Sequence, residues 1–233
     1  MHKYCNVIFS PIKVPSAQLS IISSSHDDVG PSSYLFELSV AAINEIKNID
    51  VTSIAEREKN EQKWVSIYPG EHYKLLGALM KVLKPLVIIE VGTFLGQASL
   101  VLKKFAPEGS VVHTFDIISW KEFRDSCFIA SDFNDGKLIQ HLDDITTDSG
   151  FNKNIELFKS ADFIFLDAMK DGVQELKILE KLESIILKKE CIVMFDDIRM
   201  WNMIKIWRDI KRSKMDLTSF GHWSGTGMVH WNG

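Results

Sequence analysis

The chain has 233 residues, 45% of them hydrophobic and 25% charged, which suffices for one sizeable α/β domain with its own core. Its net charge is −4 with both signs mixed along the sequence, which gives no electrostatic footprint for nucleic acid and no polybasic run for a membrane surface. No stretch approaches the ~18 apolar residues of a membrane span, and Cys5, Cys127 and Cys191 form no C-x-x-C pair, so reduced thiols in a cytoplasmic protein are expected.

Residues 1 to about 33 carry Pro11, Pro15 and the run Ser23-Ser24-Ser25, and read as an arm or lid with no signal-peptide core. Ser33 to Lys47 has helical spacing, with Leu35, Leu38, Ala41, Ala42 and Ile46 on one side. That face fits a core or a homodimer contact equally. Val51 to Lys63 is polar, an exposed helix or a loop. Glu71 to Lys84 places Leu75, Leu76, Leu79, Met80 and Leu83 at helical spacing and stops at Pro85. From there a β/α rhythm runs onward. Strands are expected at 87–90, 111–115, 137–142, 162–166 and 191–195, with a Gly-rich hairpin joining 215–220 to 226–231. This pattern predicts an α/β fold: a mostly parallel sheet with helices on both faces and an antiparallel last strand. The domain boundary is drawn at 64/65, an N-terminal arm and helical lid (1–64) before the α/β domain (65–233).

The stretch Val87-Ile88-Ile89-Glu90-Val91-Gly92-Thr93-Phe94-Leu95-Gly96 joins a buried strand, an acid, a glycine turn and a helix start. Its glycines are spaced G-x-x-x-G, not the G-x-G-x-x-G with which a dinucleotide fold takes up pyrophosphate. Glu90 would repel a phosphate but suits an ammonium. The segment resembles motif I of the class I S-adenosylmethionine (SAM)-dependent methyltransferases. The resemblance covers roughly residues 65 to 232. It implies a Rossmann-like sheet and SAM held by Glu90, Gly92, Thr93, Phe94, Gly96 and Asp116, the last at the end of the second strand, where it accepts the ribose hydroxyls. It also places Ile117 against the adenine, one of Asp143 and Asp144 at the adenine amino group, and Ser99 or the helix N-terminal amides at the methionine carboxylate.

Acids also end the fourth and fifth strands, as Asp167 and as Asp196-Asp197. If those strands are parallel neighbours, three carboxylates converge and call for a cation, which hard oxygen ligands make Mg²⁺, or Mn²⁺ or Ca²⁺. The alternative for Asp196-Asp197 is a helix N-cap, since 198–211 reads as a helix. Leu166-Asp167-Ala168-Met169-Lys170-Asp171 resembles the catalytic turn of catechol-type and caffeoyl-CoA-type O-methyltransferases, which implies Asp167 as a metal ligand and Lys170 as general base. Asp-Asp in the second metal motif resembles the macrocin-type sugar branch, where Asp167 or Asp171 would serve instead. His222 and Trp223 either line the acceptor site or close the hairpin. The expectation is a metal-dependent O-methyltransferase for a small hydroxylated molecule: a sugar, a polyketide or a phenol-like compound. A metal-free methyltransferase, a non-catalytic SAM binder and a nicotinamide oxidoreductase are the alternatives.

Overall fold

The computed structural model describes residues 29–59, 63–66, 71–200 and 202–233. The arm read at 1–33 therefore lies outside the described residues up to position 28, as does Cys5. Seven strands form one sheet: β1 (Val87–Val91), β2 (Val111–Phe115), β3 (Leu138–His141), β4 (Phe163–Leu166), β5 (Ile192–Asp196), β6 (Lys214–Asp216) and β7 (Thr226–His230). Their order is β3-β2-β1-β4-β5-β7-β6. β1 to β5 run parallel to one another, and β7 is antiparallel to both β5 and β6. The antiparallel last strand and the hairpin are as the Gly-rich spacing predicts.

Side chains alternate across the strands with period two, and the two sets enter different cores. Ile88, Val112, Phe163, Phe165, Ile192, Met194 and Met228 face one layer, packed on α1 (Ser33–Glu45), α3 (His72–Leu83) and α4 (Gln97–Phe105). Ile89, Phe115, Ile164, Leu166, Val193, Phe195 and Val229 face the other, covered by α5 (Asp148–Lys153), α6 (Ile155–Lys159), α7 (Gln174–Glu183) and α8 (Met203–Asp209). Continuous apolar strands are what a sheet buried on both faces requires.

The helices end where local chemistry ends them. The Ser32 hydroxyl accepts the Leu35 amide at 3.2 Å and opens α1. Lys84 closes α3 in the left-handed region (φ +52°), just before Pro85. Leu35, Leu38 and Ala42 of α1 are buried against α3, Ala41 is exposed, and α2 (Thr52–Ala55) seats Ile54 in the same core with Val51 and Ile49. Within 51–59 a short helix thus contributes to the core. No helix among the described residues is long and apolar enough to cross a membrane.

Candidate functional site

The chain passes from β1 outward to β2 and β3, then returns to β4 on the other side of β1. Crevices outside the carboxyl ends of the strands open at such a reversal. Val91 pairs with Leu166, so the residues that follow, Gly92 and Asp167, lie side by side. Gly92 has φ +103°, and a Cβ there would run into the Asp167 carbonyl oxygen. Gly96 caps α4 at φ +89°, and a Cβ there would strike the Phe128 ring. Both glycines are demanded by contacts within the protein.

Asp116 fixes the same turn from β2. Its Oδ2 accepts the amides of Thr93 (3.1 Å) and Phe94 (3.0 Å), and its Oδ1 accepts that of Ile118 (3.0 Å). Thr93 is buried with its hydroxyl 2.7 Å from that of Thr114. Phe94 is half exposed at φ +42° and meets Phe123 edge-on. Of the acids after β3, Asp143 is bound by Lys153 (2.8 Å) and Asn154 (3.0 Å), and Asp144 accepts the amide and hydroxyl of Thr146. A cavity of about 670 Å³ unites these positions, lined among others by Phe94, Asp116, Ile117, Asp143, Asp144 and Met169. Its size and mostly apolar wall suit a nucleoside.

Ser99 is turned elsewhere. It is fully buried, and its hydroxyl donates to Glu90 Oε2. Glu90 is itself buried, and its Oε1 has no hydrogen-bond partner. Burial pushes the Glu90 carboxyl up to about 8, against the lowering pull of Ser99. Glu90 borders a second, smaller cavity of about 180 Å³ that shares Gly92, Phe94, Asp167 and Lys170 with the first.

The far wall of this smaller cavity holds Asp167, Lys170, Asp196, Asp197, His72, Tyr73 and His222. The three acids do converge, as the strand ends predict. Asp196-Asp197 do not cap a helix, because α8 begins at Met203 after Asn202. Lys170 Nζ binds Asp167 Oδ1 directly and lies 3.2 Å from Asp197 Oδ2. Burial alone would discharge it, but Asp167, Asp196 and Asp197 hold its pKa above the ordinary lysine value. Asp171 stands outside, accepting the Val173 and Gln174 amides at the start of α7. Burial raises the Asp196 carboxyl well above the usual carboxylate range, helped by Asp167 and Asp197. For Asp197 burial acts the same way but is outweighed by His222 and the Lys170 ammonium, leaving it at about 2. Asp196 Oδ1, Asp197 Oδ1 and His72 Nδ1 are buried without a hydrogen-bond partner. Phe94, Lys170 and Asp197 all have left-handed backbone (φ +42°, +59° and +57°), a conformation that persists in such residues only where surrounding contacts impose it.

The two histidines arrive from distant parts of the chain. The Glu71 amide donates to the Gly221 carbonyl (2.9 Å), tying the start of α3 to the β6–β7 connection. That tie brings the His72 and His222 rings to 5.5 Å between centroids. Arg199 holds the connection from the other side, with two bonds to Asp216 Oδ2 and its amide on the Ser224 carbonyl. His222 is thus part of the site wall, while Trp223 remains half exposed. His72 and Tyr73 carry no signal in the sequence as site residues; at the N-terminus of an amphipathic helix they read as helix surface.

No protein-family model and no curated protein matches this chain. Solved structures do. A methyltransferase from Geobacter sulfurreducens shares 16% identity over 85% of this chain and 93% of its own, with a TM-score of 0.51. The O-methyltransferase TomG from Streptomyces achromogenes, involved in tomaymycin synthesis and solved with SAM, shares 15% identity over 82% of this chain and 96% of its own, with a TM-score of 0.54. The chain has the class I methyltransferase fold. It shows in the seven-stranded order with one antiparallel strand, and acids stand at or near the carboxyl ends of β1, β2, β4 and β5.

Proposed function

We propose that the protein is a SAM-dependent O-methyltransferase acting on a small hydroxylated molecule, with a divalent cation at the Asp196–Asp197 pair. The observation that carries this reading is the unpartnered Glu90 Oε1, buried at the wall of a small polar cavity that continues into a nucleoside-sized one. A ligand with an amino acid at one end and a nucleoside at the other satisfies both. The ammonium of SAM would meet Glu90, the ribose would meet Asp116, and Ile117 would lie under the adenine near Asp143 and Asp144. A pyrophosphate would leave Glu90 without a cationic partner, which disfavours a nicotinamide cofactor. The SAM-bound structural neighbour supports the same reading.

The donor set also fits a cation: Asp196 Oδ1 and Asp197 Oδ1 are buried and unpartnered. A divalent metal held there supplies Lewis acidity that lowers the pKa of an acceptor hydroxyl. The protein's own groups do the rest. Lys170, held between Asp167 and Asp197, would stabilise the developing alkoxide as an ammonium. Asp167, whose carboxyl burial raises above its ordinary value, is the proton acceptor beside it. The acceptor oxygen attacks the sulfonium methyl carbon; the O–CH₃ bond forms, the S–CH₃ bond breaks, and the electron pair stays on sulfur. His72 and Tyr73 line the cavity beside the acids and narrow the space left for water.

Calorimetric titration with SAM, with and without divalent metal, tests the reading. Binding to the wild-type protein, weakened about tenfold or more in Glu90→Gln, is the expected result. Methyl transfer from labelled SAM to a panel of sugars, phenols and polyketides that stops on chelation completes it. Transfer that survives chelation would favour the metal-free version, in which the Lys170 ammonium alone offsets the acids. Absence of SAM binding would remove the methyltransferase reading altogether.

A further inference from the structure

The three aspartates are not equivalent. Asp167 Oδ1 is taken by Lys170, whereas Asp196 Oδ1 and Asp197 Oδ1 are free and face the imidazole of His222. We propose that the cation at this site is held by Asp196, Asp197 and His222, a mixed oxygen and nitrogen set that prefers Mn²⁺ or Co²⁺ to Mg²⁺ and leaves Asp167 to Lys170. This rests on the methyltransferase reading of the same site and names the metal class and the ligands.

The geometry carries it. One ligand atom from each of the three residues lies within 4.8 Å of the others. His222 Nδ1 is 3.8 Å from Asp196 Oδ1 and 3.6 Å from Asp197 Oδ1. Those separations are too long for hydrogen bonds. They are close to the roughly 3.0–3.4 Å between neighbouring donors that each sit about 2.1 Å from one ion. A second, independent group points the same way. His72, only 6% exposed, aims an unpartnered Nδ1 at Asp196 Oδ1 from 3.6 Å. The protein thus buries two carboxylate oxygens and the His72 nitrogen close together without a hydrogen-bond partner, and sets the His222 imidazole, bonded to Ser224, beside them. An imidazole ligand favours transition metals, while all-oxygen sets suit Mg²⁺. Ser224 Oγ stands 2.5 Å from His222 Nδ1, so its hydroxyl must turn away when that nitrogen takes a metal.

The test is calorimetric titration of the whole chain with MnCl₂, CoCl₂ and MgCl₂, with SAM titrated into the same preparations. Mn²⁺ and Co²⁺ are expected to bind at least about tenfold more tightly than Mg²⁺, and His222→Ala to remove that preference. Asp196→Asn should abolish binding, Asp167→Asn should leave it nearly unchanged, and Ser224→Ala should tighten it. Pulsed EPR of the Mn²⁺-loaded protein should show nitrogen coupling that disappears in His222→Ala, a signature that loss of fold alone does not mimic when thermal melts of the variant are normal. Equal affinity for Mg²⁺ together with loss of binding in Asp167→Asn would overturn the proposal in favour of an all-carboxylate site. SAM binding with no metal binding would overturn it while leaving the methyltransferase reading standing. Metal binding without SAM binding would sink that reading and keep the ligand set.

Discussion

Glu90 is a buried carboxyl that the fold keeps neutral. In the unfolded chain it releases its proton near its ordinary 4.5, and in the folded protein near 8. Between those values the folded state holds a proton that the unfolded state has lost. Stability therefore falls as pH rises from 4.5 to 8 and levels off above, by on the order of a few kcal/mol. Thermal melts across this range should show the slope, and Glu90→Gln should flatten it. A bound ammonium reverses the preference, so SAM should bind with proton release near neutral pH, measurable by calorimetry in buffers of different ionisation heat. Lys170 has the opposite character. Lys170→Met leaves buried Asp167 and Asp197 without their ammonium, at a cost of about 3 kcal/mol. Methyl transfer should fall by roughly 10²–10⁴-fold in the same variant, as for loss of an electrostatic stabiliser. An unchanged melting temperature would show that those carboxylates are solvated or protonated instead.

The β1–α4 turn shows that a glycine in a ligand-binding segment can answer to the protein before it answers to the ligand. Gly92→Ala sets a methyl against the Asp167 carbonyl at a φ of +103°. It should destabilise by about 2 kcal/mol or more and weaken SAM binding, because β4's end must shift. Gly109 is the control: its φ is +84° but nothing lies within 4 Å, so Gly109→Ala should cost only about 1 kcal/mol in urea melts and leave the site intact. Much of this element was legible. An apolar run, an acid, two spaced glycines and an apolar helix admit few other arrangements, and the acids ending β4 and β5 had to meet once those strands were parallel neighbours. Ser99 was harder to read, since its distance from Glu90 along the chain does not say which group its hydroxyl faces. Two further features escaped. His72 and His222 meet where the Glu71 amide bonds the Gly221 carbonyl, a contact with no local signature. The apolar spacing after Asp197 suggested a helix from 198, but Asp197 itself is left-handed and the helix waits until Met203.

At the scale of the whole molecule, strand count, strand direction and two-sided burial follow from the hydrophobic pattern, because only a sheet covered on both faces needs continuous apolar strands. The position of α1 did not follow. Leu35, Leu38 and Ala42 fit a core or a partner equally as a sequence, and the fold places them against α3. The strand order carries a consequence of another kind. β7 is the last strand in the sequence, yet it lies inside the sheet, bonded to β5 on one side and β6 on the other. Its central amides should therefore exchange with solvent only on global unfolding, as slowly as those of β5, in a native-state hydrogen-exchange experiment. During synthesis β6 leaves the ribosome with no strand to pair with, since β5 does not bond it directly. The growing chain thus holds an open, apolar β5 edge until the residues of β7 have been made. A ribosome stalled before Thr226 should display a chain that chaperones still bind, and one stalled far enough beyond His230 to free β7 from the exit tunnel should not.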